Sequence, residues 1–371
     1  MKSDIFIFAG ERSGDLHGAH LICDLLKKLP DLKISGVAGP KMRDTAIECL
    51  IRTEHFETMG FTDIIPALPR LVKLFRLVKK AIIACNPKLV VLIDYAEFNM
   101  RMAKALRKSG YTGKIVQYIS PTVWAWRKNR IHTMAKCLDH VFCILPFEPA
   151  CFQNTTLSAS YIGHPLITQH RQAHYDPKWR KKFPQPILAL FPGSRLKEIK
   201  RNLPIQIAAA QKLANTHDLQ PIISCSHAKF LRPILKLNKA DFPIVDMRHT
   251  HNLMKDASFA LATSGTVTLE LALYGVPTCV NFAISRFDQF IAQNILKINL
   301  PHYALPNIIA GTTIYPEFYG TNLKLPALIS AMDAIISSTE KQQEIKSACD
   351  TLTNILHTQN SSSDLVLNFL V

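Results

Sequence analysis

Short, largely unbroken apolar runs constrain this chain most. Ile5–Ala9, Ile34–Val37, Leu89–Asp94, Lys114–Ser120 and Val141–Leu145 make one series; Ile187–Phe191, Pro221–Cys225, Ile244–Met247, Phe259–Thr263 and Thr278–Phe282 make a second. A strand wetted on one face alternates apolar with polar residues, whereas a run apolar at nearly every position is covered on both faces. Amphipathic stretches separate the runs: Gly18–Leu29, Leu71–Ala84, Asn99–Lys108, Leu203–Asn215 and Thr266–Leu273. Strands that alternate with helices predict an α/β fold of two doubly wound parallel sheets. The polar, basic stretch 169–186, with Pro177, Pro184 and Pro186, reads as a linker between domains at 1–168 and 187–344. The expected architecture is two Rossmann-like domains with an inter-domain cleft, and ligands beyond the carboxyl ends of the strands.

Charge narrows the partners. Lys plus Arg number 44 and Asp plus Glu 28, a formal charge of +16. The excess favours nucleic acid, an acidic membrane surface or a phosphorylated substrate, and does not choose among them. Nine cysteines without a CxxC pair form neither a disulfide framework nor zinc-ligand spacing. The start Met1-Lys2-Ser3-Asp4 lacks the pattern of a signal peptide, and Ala257–Ile284 is broken by Glu270 and Pro277, so no membrane span is expected.

The strand ends carry the chemistry. After Ile5–Ala9 comes Gly10-Glu11-Arg12-Ser13-Gly14-Asp15, a glycine-rich turn into a helix. It lacks the Lys-Ser/Thr of a P-loop and reads equally as a structural turn or as a place where a substrate approaches backbone. Leu89–Ile93 stops at Asp94, either a helix cap or a general base for a sugar hydroxyl. Ser120–Arg127 contains Trp124, Trp126 and Arg127; two tryptophans beside cations suggest a wall for a sugar ring, an acyl chain or a phosphate.

In the second half, Pro192-Gly193-Ser194-Arg195 closes a strand with a tight turn and a phosphate-compatible hydroxyl and guanidinium. Thr263–Glu270 offers a small-residue turn at Ser264, Gly265 and Thr266, then Glu270 about one turn into a helix, placed to accept from ribose hydroxyls. Both turns in one α/β domain point to a nucleotide-diphosphate-sugar site.

Pro66–Cys85 has apolar residues at helical spacing, among them Leu71 and Phe75, and cations at Arg70, Lys73, Arg76, Lys79 and Lys80, with no acidic residue from Ala67 to Lys80. It reads as a surface helix with one buried face or as an interfacial helix for anionic lipid; the missing acids favour the second. The fourteen histidines form no HExxH motif, His164 in Gly163-His164-Pro165 reads as structural, and no DxD-type metal pair is present.

Taken in series, Ala9–Asp15, Gly36–Pro40, Met59-Gly60-Phe61, Ser120–Arg127, Leu145–Glu148, Gly163–Pro165, Pro192–Arg195, Thr263–Glu270 and Leu305-Pro306-Asn307 resemble the lipid-A-disaccharide synthase family over about residues 5–310. The resemblance implies a GT-B fold, an N-terminal acceptor domain, a UDP-sugar domain, and terminal helices at about 345–371 crossing back to the first domain. It implies inverting transfer from UDP-2,3-diacylglucosamine to 2,3-diacylglucosamine 1-phosphate (lipid X), without metal or cofactor. The product would be a β-1,6 disaccharide 1-phosphate. By similarity Asp94 is the base; Arg195, Ser194, Ser264, Gly265, Thr266, Glu270 and Asn307 line the UDP site; Gly10, Glu11, Ser13, Gly14, Asp15, Trp124, Trp126 and Arg127 serve the acceptor. Leu71, Lys73, Phe75, Arg76 and Lys80 are the expected lipid contacts, on the inner face of the cytoplasmic membrane. A homodimer is a candidate assembly. Glu97 departs from the family, which more often has Asp there.

Two other readings compete. A different UDP-N-acetylglucosamine enzyme would share mainly the second-half motifs. A nucleic-acid-binding protein would need a contiguous basic groove, whereas these cations are interleaved with apolar residues, so no nucleic acid is expected.

Overall fold

The computed structural model describes residues 3–56, 64–126, 128–285, 289, 300–358 and 360–370. The Met59-Gly60-Phe61 motif and Arg127 lie outside them. The chain divides into two compact units, Met1–Pro165 with Thr358–Val371, and Leu166–His357.

The first unit holds seven strands: β1 (Ile5–Ala9), β2 (Ile34–Ala38), β3 (Glu48–Arg52), β4 (Leu89–Ile93), β5 (Lys114–Tyr118), β6 (His140–Cys143) and β7 (Ser158–Tyr161). Their order is β3-β2-β1-β4-β5-β6-β7, with every pair parallel. β1 and β4 are buried at every residue, as their uninterrupted apolar character requires. Gly36 in β2 is obligatory, because a Cβ there would sit 1.9 Å from the carbonyl oxygen of Ile7. Chain order reverses between β1 and β4, so their following helices diverge and leave a crevice at the strand ends.

The second unit holds β8 (Ile187–Phe191), β9 (Gln220–Cys225), β10 (Ile244–Asp246), β11 (Ala257–Thr263), β12 (Thr278–Phe282) and β13 (Glu317–Tyr319), in the order β10-β9-β8-β11-β12-β13, again parallel. Its order reverses between β8 and β11.

Two boundaries differ from the sequence expectation. The stretch 169–186 is no free linker but part of the second unit. Trp179 is 2% exposed and packs with Ile187, Ala189 and Phe191, and the side chain of Asn252 donates to the Asp176 carbonyl at 3.1 Å. Burial of that indole holds a segment whose prolines and cations suggested free chain. At the other end, only Thr358–Val371 joins the first unit, where Val366 is fully buried and Lys28 pairs with Asp364. The helix Thr339–Leu356 stays with the second unit, burying Ile345, Cys349, Leu352 and Leu356.

The helix Ile64–Cys85 turns Leu74, Val78 and Ile82 into the core of the first unit. Phe75, expected as a lipid contact, packs inward, its ring edge-on to Phe98 at 5.4 Å, and Leu71 is half-buried. Helical spacing alone did not fix which apolar stripe faces in. Lys73, Arg76 and Lys80 are exposed, as are the apolar side chains of Val72, Leu77 and Ile83. Among the described residues no helix is long and apolar enough to cross a membrane.

Candidate active site

Each sheet places its candidate residues at its own switch point. In the first unit these are the turn after β1 and the end of β4. The Ser13 hydroxyl donates to Asp94 Oδ2 at 3.1 Å. Asp94 has φ +52°, a left-handed conformation that a non-glycine residue holds only when its surroundings impose it. They do so here: its N–H donates to the Tyr118 carbonyl at 2.9 Å, while its carbonyl accepts from Asn99 Nδ2 at 2.9 Å and Gln117 Nε2 at 2.8 Å. Asn99 and Gln117 are both fully buried. The carboxylate is thus aimed by backbone strain anchored in buried amides.

Glu11, at the N-terminus of the helix Arg12–Lys28, has its carboxyl pushed up by burial and by the neighbouring charge of Asp94. Gly10 admits Tyr95, whose ring would be 2.6 Å from a Cβ. Burial lowers the pKa of His17, against the pull of Asp94, and that of His164 falls to about 4, so both imidazoles are neutral at pH 7.

Asp15 does not join this site. It is 3% exposed, and its carboxylate accepts the backbone N–H groups of Gly39, Lys41 and Met42 at 2.9–3.0 Å. It caps the short helix Pro40–Arg43, which is why Gly39 has no room for a Cβ beside it. Trp124 and Trp126 lie half-buried on the loop after β5. Trp126 donates to Thr122 Oγ1 at 3.2 Å, and Trp124 donates to Glu148 Oε1 at 3.2 Å with its ring edge-on to Phe147. Glu148, which the sequence marked only as part of a motif, is 1% exposed, and its other oxygen accepts from the N–H groups of Ile144 and Leu145. Burial pushes its carboxyl up to about 7. Nothing in the sequence separates such a buried acid from a surface one.

In the second unit a cavity of about 460 Å³ is lined by both predicted turns, Pro192–Arg195 after β8 and Ser264–Thr266 after β11, together with Glu270. Gly193 has φ +114° and lies against Glu198, whose carboxylate accepts from the N–H groups of Ser194 and Arg195 and from the Arg195 guanidinium at 2.7 Å. The turn is preshaped by this capping, and the Arg195 side chain remains 79% exposed. Ser264 Oγ donates to the Tyr303 carbonyl at 2.9 Å. Gly265 has φ +155° and opens the helix Thr266–Leu273, whose first N–H groups have no intrahelical partner. Glu270 has no hydrogen-bond partner among the described residues, and burial alone pushes its carboxyl up to about 7. An unpartnered, desolvated carboxylate in a cavity is suited to bind hydroxyls.

Asn307 is a second correction. It is fully buried and its carboxamide is used within its own loop, donating to the Tyr315 carbonyl and Glu317 and accepting from Ile314 and Tyr315 N–H groups. Its link to the cavity is indirect: Glu317 holds the N–H of Tyr303, whose carbonyl holds Ser264. Among the described residues no group of three His, Cys, Asp or Glu side chains is placed to hold a metal ion.

A family model described as lipid-A-disaccharide synthetase matches residues 5–368. The chain belongs to the lipid-A-disaccharide synthetase family. The lipid-A-disaccharide synthase of Chlamydia abortus is 40% identical over 362 residues, covering 95% of this chain and 57% of that protein. The chain therefore spans less than two thirds of the length of that relative. Among solved structures it is similar to CalG4, the calicheamicin glycosyltransferase (TM-score 0.61, 14% identity, 100% of this chain and 99% of that one). It is also similar to UDP-GlcNAc 2-epimerase from Neisseria meningitidis bound to UDP-GlcNAc (TM-score 0.58, 13% identity, 95% and 99%). These neighbours and the two parallel-sheet units make the fold GT-B.

Glu270 generates a prediction about stability. A carboxyl raised from its ordinary 4.5 to about 7 keeps its proton in the folded state after the unfolded chain has lost it. Its contribution is present below pH 4.5 and is lost as pH rises through about 7. Glu270→Gln should therefore raise stability at pH 8 by about 2–3 kcal/mol and leave it unchanged at pH 4. Urea unfolding at the two pH values checks this; equal effects at both would contradict the desolvation account.

Proposed function

We propose that the chain is an inverting, metal-independent glycosyltransferase that joins UDP-2,3-diacylglucosamine to lipid X, releasing UDP and the β-1,6 disaccharide 1-phosphate. The observation that carries this reading is the cavity of the second unit, where a phosphate-compatible turn, a helix N-terminus and an unpartnered acid occur together. Family membership supports the lipid A chemistry, and one fold neighbour is a UDP-GlcNAc 2-epimerase bound to UDP-GlcNAc.

In this reading Ser194, Arg195, Ser264, Gly265 and Thr266 hold the diphosphate, and Glu270 accepts from the ribose. Asp94, oriented by Ser13, takes the proton from the 6-hydroxyl of the acceptor as that oxygen attacks the anomeric carbon. The bond from that carbon to the diphosphate oxygen breaks, and the electron pair leaves with UDP. Arg195 and the N-terminus of the helix Thr266–Leu273 neutralise the charge that develops there. One in-line displacement inverts the configuration. Gly10, Glu11, Ser13, Gly14, Trp124 and Trp126 form the acceptor side; Asp15 and Asn307 act only through the loops they brace.

The lipid substrates also call for a membrane surface, and we assign that contact to the outer face of the helix Ile64–Cys85. There Lys73, Arg76 and Lys80 alternate with exposed Val72 and Leu77, which suits anionic headgroups over acyl chains, at about 1 kcal/mol per cation. Replacing the three cations with Gln should abolish flotation with anionic vesicles; undiminished flotation would remove this helix from the role.

Two substitutions test the chemistry. Asp94→Ala should abolish turnover while UDP affinity stays within about twofold, because the two groups lie in different units; near-normal turnover would remove Asp94 as the base. Arg195→Ala should weaken UDP by roughly 1.5–3 kcal/mol, the worth of a charge-assisted hydrogen bond. Isothermal titration gives the number, and an unchanged Kd would overturn the phosphate assignment.

A further inference from the structure

A cationic groove in the first unit has no part in the roles assigned above. Arg101 and Lys104 line it from the helix Ala96–Lys108, and Lys128 and Arg130 from the opposite wall, around a volume of about 780 Å³. Among the described lining residues Glu97 is the only acid, so their charge is 4 − 1 = +3. Glu97 ties Arg130 and, at 3.5 Å, Arg101. Lys104 and Lys128 have no carboxylate partner among the described residues. The Arg130 side chain is only 17% exposed, so its fork is held in place rather than waving in solvent. Packing does not explain the cluster, because Arg101, Lys104 and Lys128 are exposed side chains that gather at one concavity.

Placement gives the groove a meaning. The helix Ala96–Lys108 starts two residues after Asp94, and Glu97, Arg101 and Lys104 follow one another along one of its faces. From Glu97 to Lys104 is seven residues, a rise of about 10 Å. The lining therefore begins at Glu97, three residues after the proposed base, and Arg101 and Lys104 follow seven and ten residues after it along the helix. A groove this short suits a single anionic group rather than a nucleic-acid backbone, and its mixture of fixed arginine and mobile lysine suits a phosphate dianion.

We propose that Arg101, Lys104, Lys128 and Arg130 form the anion subsite for the acceptor, taking a phosphate monoester on the sugar whose hydroxyl meets Asp94. The proposal rests on the acceptor reading of the first unit and deepens it. Glu97, which differs from the family's more frequent Asp, becomes the residue that holds the two arginines in position.

The test is the triple variant Arg101→Gln, Lys104→Gln, Lys128→Gln, which leaves the Glu97–Arg130 pair intact. The KM for the phosphorylated acceptor should rise about tenfold or more and that for the donor should not. For the acceptor lacking its phosphate, the variant and the parent should have the same KM. An acceptor KM within about twofold of the parent, or an equal loss with the dephosphorylated acceptor, would overturn the subsite. A second measurement needs no turnover: titration with glucosamine 1-phosphate followed by phosphorus NMR. The parent protein should shift the phosphate resonance saturably and the variant should not; matching titrations would overturn the subsite. If the parent makes no disaccharide yet binds the sugar phosphate through these residues, the transfer reading falls and the subsite stands.

Discussion

Two buried amides, from Asn99 and Gln117, hold the carbonyl of Asp94 and keep this residue in a left-handed backbone conformation at the end of β4. The first unit's proposed chemistry depends on that constraint. Without it the chain would leave the strand in an ordinary conformation and the carboxylate would be aimed elsewhere. Its position matters because β4 borders β1, where the strand order reverses and the crevice opens. Ser13, from the first turn of the helix Arg12–Lys28 that follows β1, then reaches the carboxylate across that gap. The second unit repeats the logic with β8 and β11, using the exposed Arg195 guanidinium after β8 and a helix N-terminus after β11 instead of a carboxylate. One topological rule thus yields two sites of opposite character, one suited to remove a proton and one suited to receive negative charge.

Both units hold a carboxyl group at a cost in stability. Glu270 is desolvated without a partner, and Glu148 is desolvated with three hydrogen-bond donors around it. The difference separates a binding group from a structural one. Glu148 is already satisfied and holds Trp124, whereas Glu270 has no hydrogen-bond partner among the described residues and is the proposed binding group. Asp15 and Asn307 belong with Glu148: buried polar side chains whose hydrogen bonds are made within the fold, mostly to backbone.

The central strands were legible in the sequence because strands buried on both faces are apolar throughout; β1, β8 and β12 fall on the expected residues. The edge strands β3, β7 and β13 were not foreseen, because half-exposed strands carry polar residues such as Glu48, Ser158 and Glu317 and leave no unbroken apolar run. The turn residues were found because glycine and small polar side chains at a strand end have few packing explanations. Side-chain commitment was not legible. Asp15 and Asn307 look like ligand-binding groups until their partners, 24 to 27 residues away for Asp15 and 7 to 10 away for Asn307, are in place. Trp179 likewise anchors a stretch whose composition alone reads as linker, and Phe75 faces a core partner that helical spacing does not identify.

In the proposed reading the two switch-point sites serve transfer of a sugar rather than rearrangement of one. The most direct test is incubation of the protein with UDP-2,3-diacylglucosamine and lipid X in EDTA, followed by mass analysis of the lipid and nucleotide fractions. The account predicts a disaccharide monophosphate together with UDP. Recovery of both substrates intact, of an epimerised UDP-sugar, or of product only when metal is restored would contradict it.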